Sequence, residues 1–348
     1  MKPCVSTRSI AVLLSGIAIL FGFTNLLFAD APKKESSTTE EVGKLYVLSV
    51  WGTNAEDIHD SVETLQNRFK YAMEAGGLNL KSRSDPDNFV QEFIMLSDKE
   101  AAKDNVLKTC RSISKKAHKN DVIFVYICCH GITKRINGDN KRCHILFPGV
   151  KTAAQMQNIK EYGILRSEIL EALNPEKHRL VVLITDAGTR DNDEQIIKYS
   201  GDPNIYACYD PGYLRRPPAE QNLLRNFLRT NTGLVDWNAA SPFGGKDGQG
   251  EQSPFYRMAQ EHEGVFFSAL MSLTLDDKRN LSKADLFKEL NNRLNKSFKF
   301  ISGSNSIMDD VKNSNPIFSN QPTQTLFDFK GSGCVVDKTD SEGSIEKK

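Results

Sequence analysis

Apolar and polar positions change period repeatedly along this chain, and those changes mark its elements. Leu45 to Trp51 is a compact run of strand type. From Asp57 to Ala75 the apolar residues Ile58, Val62, Leu65, Phe69 and Ala72 recur at helical spacing. Phe89 to Leu96 predicts a second strand. Ala101 to Lys119, with Val106, Ile113 and Ala117 near one face, predicts a second helix. Asp121 to Cys128 predicts a strand buried on both faces, because Val122 through Ile127 run without a charged residue. Arg166 to Leu173 reads as a short helix and Leu180 to Ile184 as another buried strand. Strands that alternate with helices imply an α/β fold, a mostly parallel β-sheet with helices on both faces. Binding and chemistry in such a sheet gather beyond the carboxyl ends of its strands.

The second half is less regular. Asn222 to Arg229 predicts a helix, Gly233 to Trp237 an extended segment and Ser241 to Ser253 a glycine-rich loop. Glu263 to Leu275 holds another apolar run. Ser282 with Asp285 three residues later resembles a capping box for a helix running to about Lys296. Gln324 to Phe329 suits a last edge strand.

The ends of the chain differ from this middle. Lys2 and Arg8 open it, Ile10 to Phe28 is almost unbroken apolar sequence, and Ala29-Asp30-Ala31 has the small-x-small form of a cleavage site. Residues 1–31 therefore read as a signal peptide, which implies export to the periplasm or the cell exterior. The alternative is an uncleaved membrane anchor, since the run approaches the ~20 residues that span a bilayer. Residues 32–43 read as a flexible leader, residues 44–329 as the folded domain and residues 330–348, rich in Ser, Gly, Asp and Lys, as a disordered tail.

Composition narrows the function classes. The 45 Lys plus Arg balance 44 Asp plus Glu for a net charge of +1, which gives no electrostatic footprint for nucleic acid. Cleavage of the leader would remove Cys4 and leave Cys110, Cys128, Cys129, Cys143, Cys208 and Cys334, without the paired spacing of a zinc site. Cys143-His144 and Cys129-His130 are adjacent pairs, a poor geometry for chelating one ion. No Gly-x-Gly-x-x-Gly follows the first strand, which disfavours a nucleotide-binding or flavodoxin-like protein. No cofactor is implied.

Two strand ends carry the candidate chemistry. The first reads Phe124-Val-Tyr-Ile-Cys-Cys-His130-Gly131, a buried strand delivering an imidazole and a glycine to the sheet edge. The second reads Leu180-Val-Val-Leu-Ile-Thr-Asp186-Ala187-Gly188-Thr189, with an acid where the strand stops and a small-residue turn after it. Alone, a His-Gly pair better suits a core or capping histidine, and a strand-end Asp suits a helix cap. Together, 58 residues apart (188 − 130) from His130 to Gly188, they resemble the caspase and metacaspase clan of cysteine proteases. That family has a strand ending in His-Gly and a later strand ending in Asp-Ser-Cys or an equivalent. The resemblance runs from Lys44 to about Leu275 and takes in Val235-Asp-Trp-Asn-Ala-Ala-Ser-Pro242 and Gly264-Val-Phe-Phe-Ser-Ala-Leu270.

By that resemblance His130 matches the general base, Gly131 the backbone donor to an oxyanion, and Asp186 an acid that helps to bind Arg or Lys at the cleavage position. Gly188 falls where the nucleophilic cysteine belongs. Glycine has no atom that can form an acyl-enzyme. The expectation is therefore an inactive caspase-like module that binds a peptide or protein ligand. The alternative is an active cysteine endopeptidase, cutting after Arg or Lys with a displaced nucleophile: Thr189, Cys128, Cys129 or Cys208.

Overall fold

The computed structural model describes residues 43–52, 62–80, 88–136, 141–150, 153–189, 223–244, 250–251, 281–303 and 325–336. All of them belong to the unit Glu40–Lys348. Several expectations lie outside the described residues: the signal peptide, the leader up to residue 42, Cys208, the run from Glu263 to Leu275, and the chain beyond Val336.

In chain order the elements are β1 (Leu45–Trp51), α1 (Val62–Ala75), β2 (Val90–Ser97), α2 (Lys103–Lys116), β3 (Val122–Cys128), β4 (His130–Arg135), β5 (Lys141–Phe147), α3 (Ala153–Gln157), α4 (Ile159–Tyr162), β6 (Ile164–Leu165), α5 (Arg166–Leu173), β7 (Leu180–Asp186), α6 (Leu223–Thr230), β8 (Gly233–Asn238), α7 (Lys283–Gly303), β9 (Phe327–Asp328) and β10 (Cys334–Val336). Six strands form one sheet in the order β2-β1-β3-β7-β8-β9. The first five are parallel, and only the edge strand β9 runs antiparallel to its neighbour. The fold is mixed α/β, as the alternation of strand and helix patterns predicts.

Strand alternation divides the apolar side chains between two faces. Val47, Phe124, Tyr126, Val182 and Ile184 pack with α1, α6 and α7 through Phe69, Phe227 and Leu290. Leu48, Val50, Val125, Val181 and Leu183 pack with α2 and α5 through Val106, Ile113, Ile169 and Leu173. Both faces are covered, so β1, β3 and β7 are buried at every position.

A second sheet, β10-β5-β4 with the short β6 against β5, is antiparallel throughout. One face holds a small apolar cluster of Ile132, Ile145, Phe147, Val150 and Met156. This sheet corrects the expectation of a disordered tail from Lys330, because order continues to Val336. Two contacts distant in sequence order that polar segment: the Cys143–Cys334 disulfide, which spans 191 residues, and pairing of Cys334–Val336 with β5. Gly331 and Gly333 supply the positive φ, +80° and +61°, that turns the chain from β9 into β10.

One further difference concerns α7, which passes Lys296 and stops at Gly303. The sequence between holds no Gly or Pro to end it. Its start is as expected: Ser282 Oγ accepts from Asp285 N at 3.1 Å and donates to Asp285 Oδ2 at 2.6 Å.

Candidate functional site at the ends of β3 and β7

The register of the large sheet sets Cys128 opposite Asp186, so β3 and β7 end side by side. Beyond that pair, Cys129 N donates to Asp186 O at 3.2 Å. The chain then turns into β4, and Gly131 comes to lie directly against the turn that carries Gly188. A Cβ at position 131 would stand 2.6 Å from Gly188 O, 2.9 Å from Ala187 Cβ and 2.9 Å from His144 Nε2. Only glycine permits that approach. The two glycines singled out in the sequence, Gly131 and Gly188, are thus brought together.

The imidazole in contact with Gly188 belongs to His144. His130 opens β4 opposite Phe147 and is buried. Alternation gives it the face of the hairpin that carries Ile132 and Phe147, whereas Gly131, Thr133 and His144 share the face turned toward Gly188. His144 is fully buried and its Nε2 lies 3.0 Å from Gly188 O. Its ring stacks on Phe329, 5.2 Å between centroids and 3° between planes. Burial holds the His144 pKa down to about 3, with help from the Arg166 charge and against the hydrogen bond to Gly188. The ring is therefore neutral at neutral pH. Because a carbonyl only accepts, the proton sits on Nε2, and Nδ1 keeps a lone pair with no hydrogen-bond partner among the described residues.

The remaining candidates are enclosed. Asp186 is fully buried at the end of β7. Burial raises the Cys128 thiol pKa well above its ordinary value, the neighbouring Asp186 and Cys129 adding to it. Cys129 is pushed up to about 12, again chiefly by burial. Both thiols stay protonated at neutral pH, and a protonated thiol is a poor nucleophile. Thr189 is equally engaged. Its Oγ1 donates to Ser241 O at 2.7 Å and accepts from Glu251 N at 3.0 Å, while its own N donates to Glu251 O at 2.9 Å. It clamps the Gly188 turn onto the 241–251 loop.

Beneath the turn lies a charged network that sequence patterns did not single out. Arg166, the first residue of α5, is fully buried. Its Nε donates to Asp236 Oδ1 at 2.5 Å, Nη1 to Thr185 Oγ1, and Nη2 to Trp237 O at 2.9 Å. Thr185 Oγ1 donates onward to Asn238 Oδ1 at 2.5 Å, and Asn238 Nδ2 donates to Ala187 O at 3.0 Å. The backbone just before Gly188 is thus held from below. Asp236 Oδ2 also accepts from Gly331 N at 2.8 Å, and the Arg166 guanidinium lies 4.9 Å from the centre of the Phe329 ring.

Among the described residues no cluster of three or more His, Cys, Asp or Glu side chains is placed to hold a metal ion. No helix among them is long and apolar enough to cross a membrane. No protein-family model matches the chain, and neither does any curated protein. Among solved structures, the chain is similar to protein GSU0716 from Geobacter sulfurreducens, at 12% identity and a TM-score of 0.42, over 82% of this chain and 92% of that one.

Proposed function

We propose that this protein is a caspase-like pseudoprotease, a module that binds a peptide or protein ligand without cutting it. One observation supports the reading: Gly188, which by the caspase resemblance falls where the attacking sulfur belongs, offers no side chain there, and its carbonyl is tied to a neutral His144. Loss of the nucleophile from a comparable catalytic unit costs about a millionfold in turnover, about 8 kcal/mol of barrier. The groups beside Gly188 are weak replacements for that sulfur. Cys128 and Cys129 are buried and protonated, and the Thr189 hydroxyl is committed to the backbone of the 241–251 loop. What remains is the position beyond β3 and β7, where sheets of this kind bind ligands.

Full-length protein incubated with peptides containing Arg or Lys should show no hydrolysis beyond background, with or without prior iodoacetamide. Turnover that iodoacetamide abolishes would establish an active cysteine endopeptidase instead, and would direct attention to Cys208. Gly188→Cys is the converse trial. Hydrolysis gained by that variant, and lost again on adding His130→Ala or His144→Phe, would identify which imidazole the geometry makes available.

A further inference from the structure

The segment from Leu326 to Val336 crosses the molecule as a strap. Phe327–Asp328 closes the edge of the large sheet on β8, Phe329 covers His144 and Arg166, Gly331 N caps Asp236, and Cys334–Val336 pairs with β5. Its two ends are held very differently. Leu326 and Phe329 are buried in the large unit. Among the described residues beyond Gly333 the strap has three paired residues, none of them buried, and the Cys143–Cys334 bond. Both of those cysteines are partly exposed, whereas Cys110, Cys128 and Cys129 are buried. Exposed disulfides are the ones a thiol can reach.

This weak end is wired to the candidate site. Gly333 O accepts from His144 N at 3.0 Å, and the same residue's ring donates to Gly188 O at 3.0 Å. Two hydrogen bonds through one residue thus connect the disulfide to the glycine turn. The closed strap also has a cost. His144 Nδ1 and Thr133 Oγ1, cross-strand neighbours on one face, are buried without hydrogen-bond partners among the described residues, and such atoms regain water when a cover lifts.

We propose that the Cys143–Cys334 disulfide is a dithiol-cleavable latch on the candidate site: its cleavage releases β10 and, through His144, loosens the turn that carries Gly188. A thiolate of the dithiol reductant attacks one sulfur, breaking the Cys143–Cys334 bond and forming a mixed disulfide. The second thiol of the reductant displaces the protein sulfur from it. Two electrons and two protons pass to the protein, which ends with two thiols, and the reductant ends as its own disulfide.

The test uses the full chain, dithiothreitol at graded concentration, and iodoacetamide labelling read by mass spectrometry with amide hydrogen exchange. Cys143 and Cys334 should label in still-folded protein while Cys110, Cys128 and Cys129 stay unlabelled. Exchange should rise about tenfold or more over 331–336, at His144 and over 187–189, with β3 and β7 unchanged. The double variant Cys143→Ser/Cys334→Ser should show the same exchange pattern without reductant. Labelling of Cys110, Cys128 and Cys129 together with the pair would make the bond a staple of the whole fold. Labelling of the pair with unchanged exchange, in the reduced protein or the double variant, would show a strap that stays docked. Either result overturns the proposal.

Discussion

The two sheets of this protein are specified by different means. In the large sheet, β1, β3 and β7 are buried along their whole length and packed by helices on both sides. Each apolar side chain there touches several others, so the arrangement is over-determined. In the small sheet, β4 and β5 share a ladder and a small apolar cluster, whereas β10 depends on a few individual contacts: one disulfide, three pairs with β5, and the backbone bond from His144 to Gly333. The candidate site lies where the two sheets meet. A redundantly packed scaffold fixes the position of Gly188, and the small sheet supplies the ring and the sparsely held strap that cover it.

The sharpest way to break this comparison is to cut the joint between the sheets. Arg166 follows directly on β6 of the small sheet and sends its guanidinium to Asp236 and Thr185 in the large one. Arg166→Ala would leave the Asp236 carboxylate buried without its cation, and stability measured by urea unfolding should fall by about 4 kcal/mol. Arg166→Met combined with Asp236→Leu should recover much of that loss, because no buried charge is then stranded. An Arg166→Ala protein as stable as the parent would mean that the joint contributes nothing and that the sheets are independently stable.

These same distinctions explain what was legible in the sequence. The large sheet could be read because each central strand is an unbroken apolar run, and the two strand ends gave Gly131, Asp186 and Gly188 their places beside one another. The hairpin of β4 and β5 was not legible, since Thr133-Lys134-Arg135 and Lys141-Arg142 mix charge into short, partly exposed strands. His144 looked like one half of a weak metal pair with Cys143. Its burial depends on Phe329, and no local pattern reports a contact so distant in the chain. Arg166 looked like an ordinary helix start, because its partner Asp236 is 70 residues away. The order of Lys330 to Val336 was hidden for the same reason, since its polar composition says nothing of a bond to Cys143.

A smaller effect tests how closely the hairpin is seated on the scaffold. In Gly131→Ala the new methyl would stand 2.6 Å from the Gly188 carbonyl oxygen, a backbone atom that can yield only if the turn moves. Such overpacking should cost about 2 kcal/mol in chemical denaturation. It should also raise amide exchange in β4 and around Gly188 before it affects β1. An unchanged midpoint would show that the hairpin floats on the scaffold and that its contact with the turn does not order the site.

The smallest expected effect is carried by His144 and sharpens the contrast by pH. Its folded pKa of about 3 lies below the ordinary value of 6.5, so between those values the unfolded chain binds a proton that the native protein refuses. Stability from this group is therefore complete above about pH 6.5 and is lost as pH falls toward 3. From pH 6 to pH 5, where few carboxylates titrate, the loss should be about 1 kcal/mol. His144→Phe keeps a ring against Phe329 but cannot titrate. Although the variant loses the hydrogen bond to Gly188, its stability should be nearly flat across that interval. If the parent is equally flat, His144 is open to solvent in the native protein and the strap does not cover it. If both fall in parallel, the acid sensitivity resides in some other group and the neutral, Nε2-protonated ring at Gly188 loses its support.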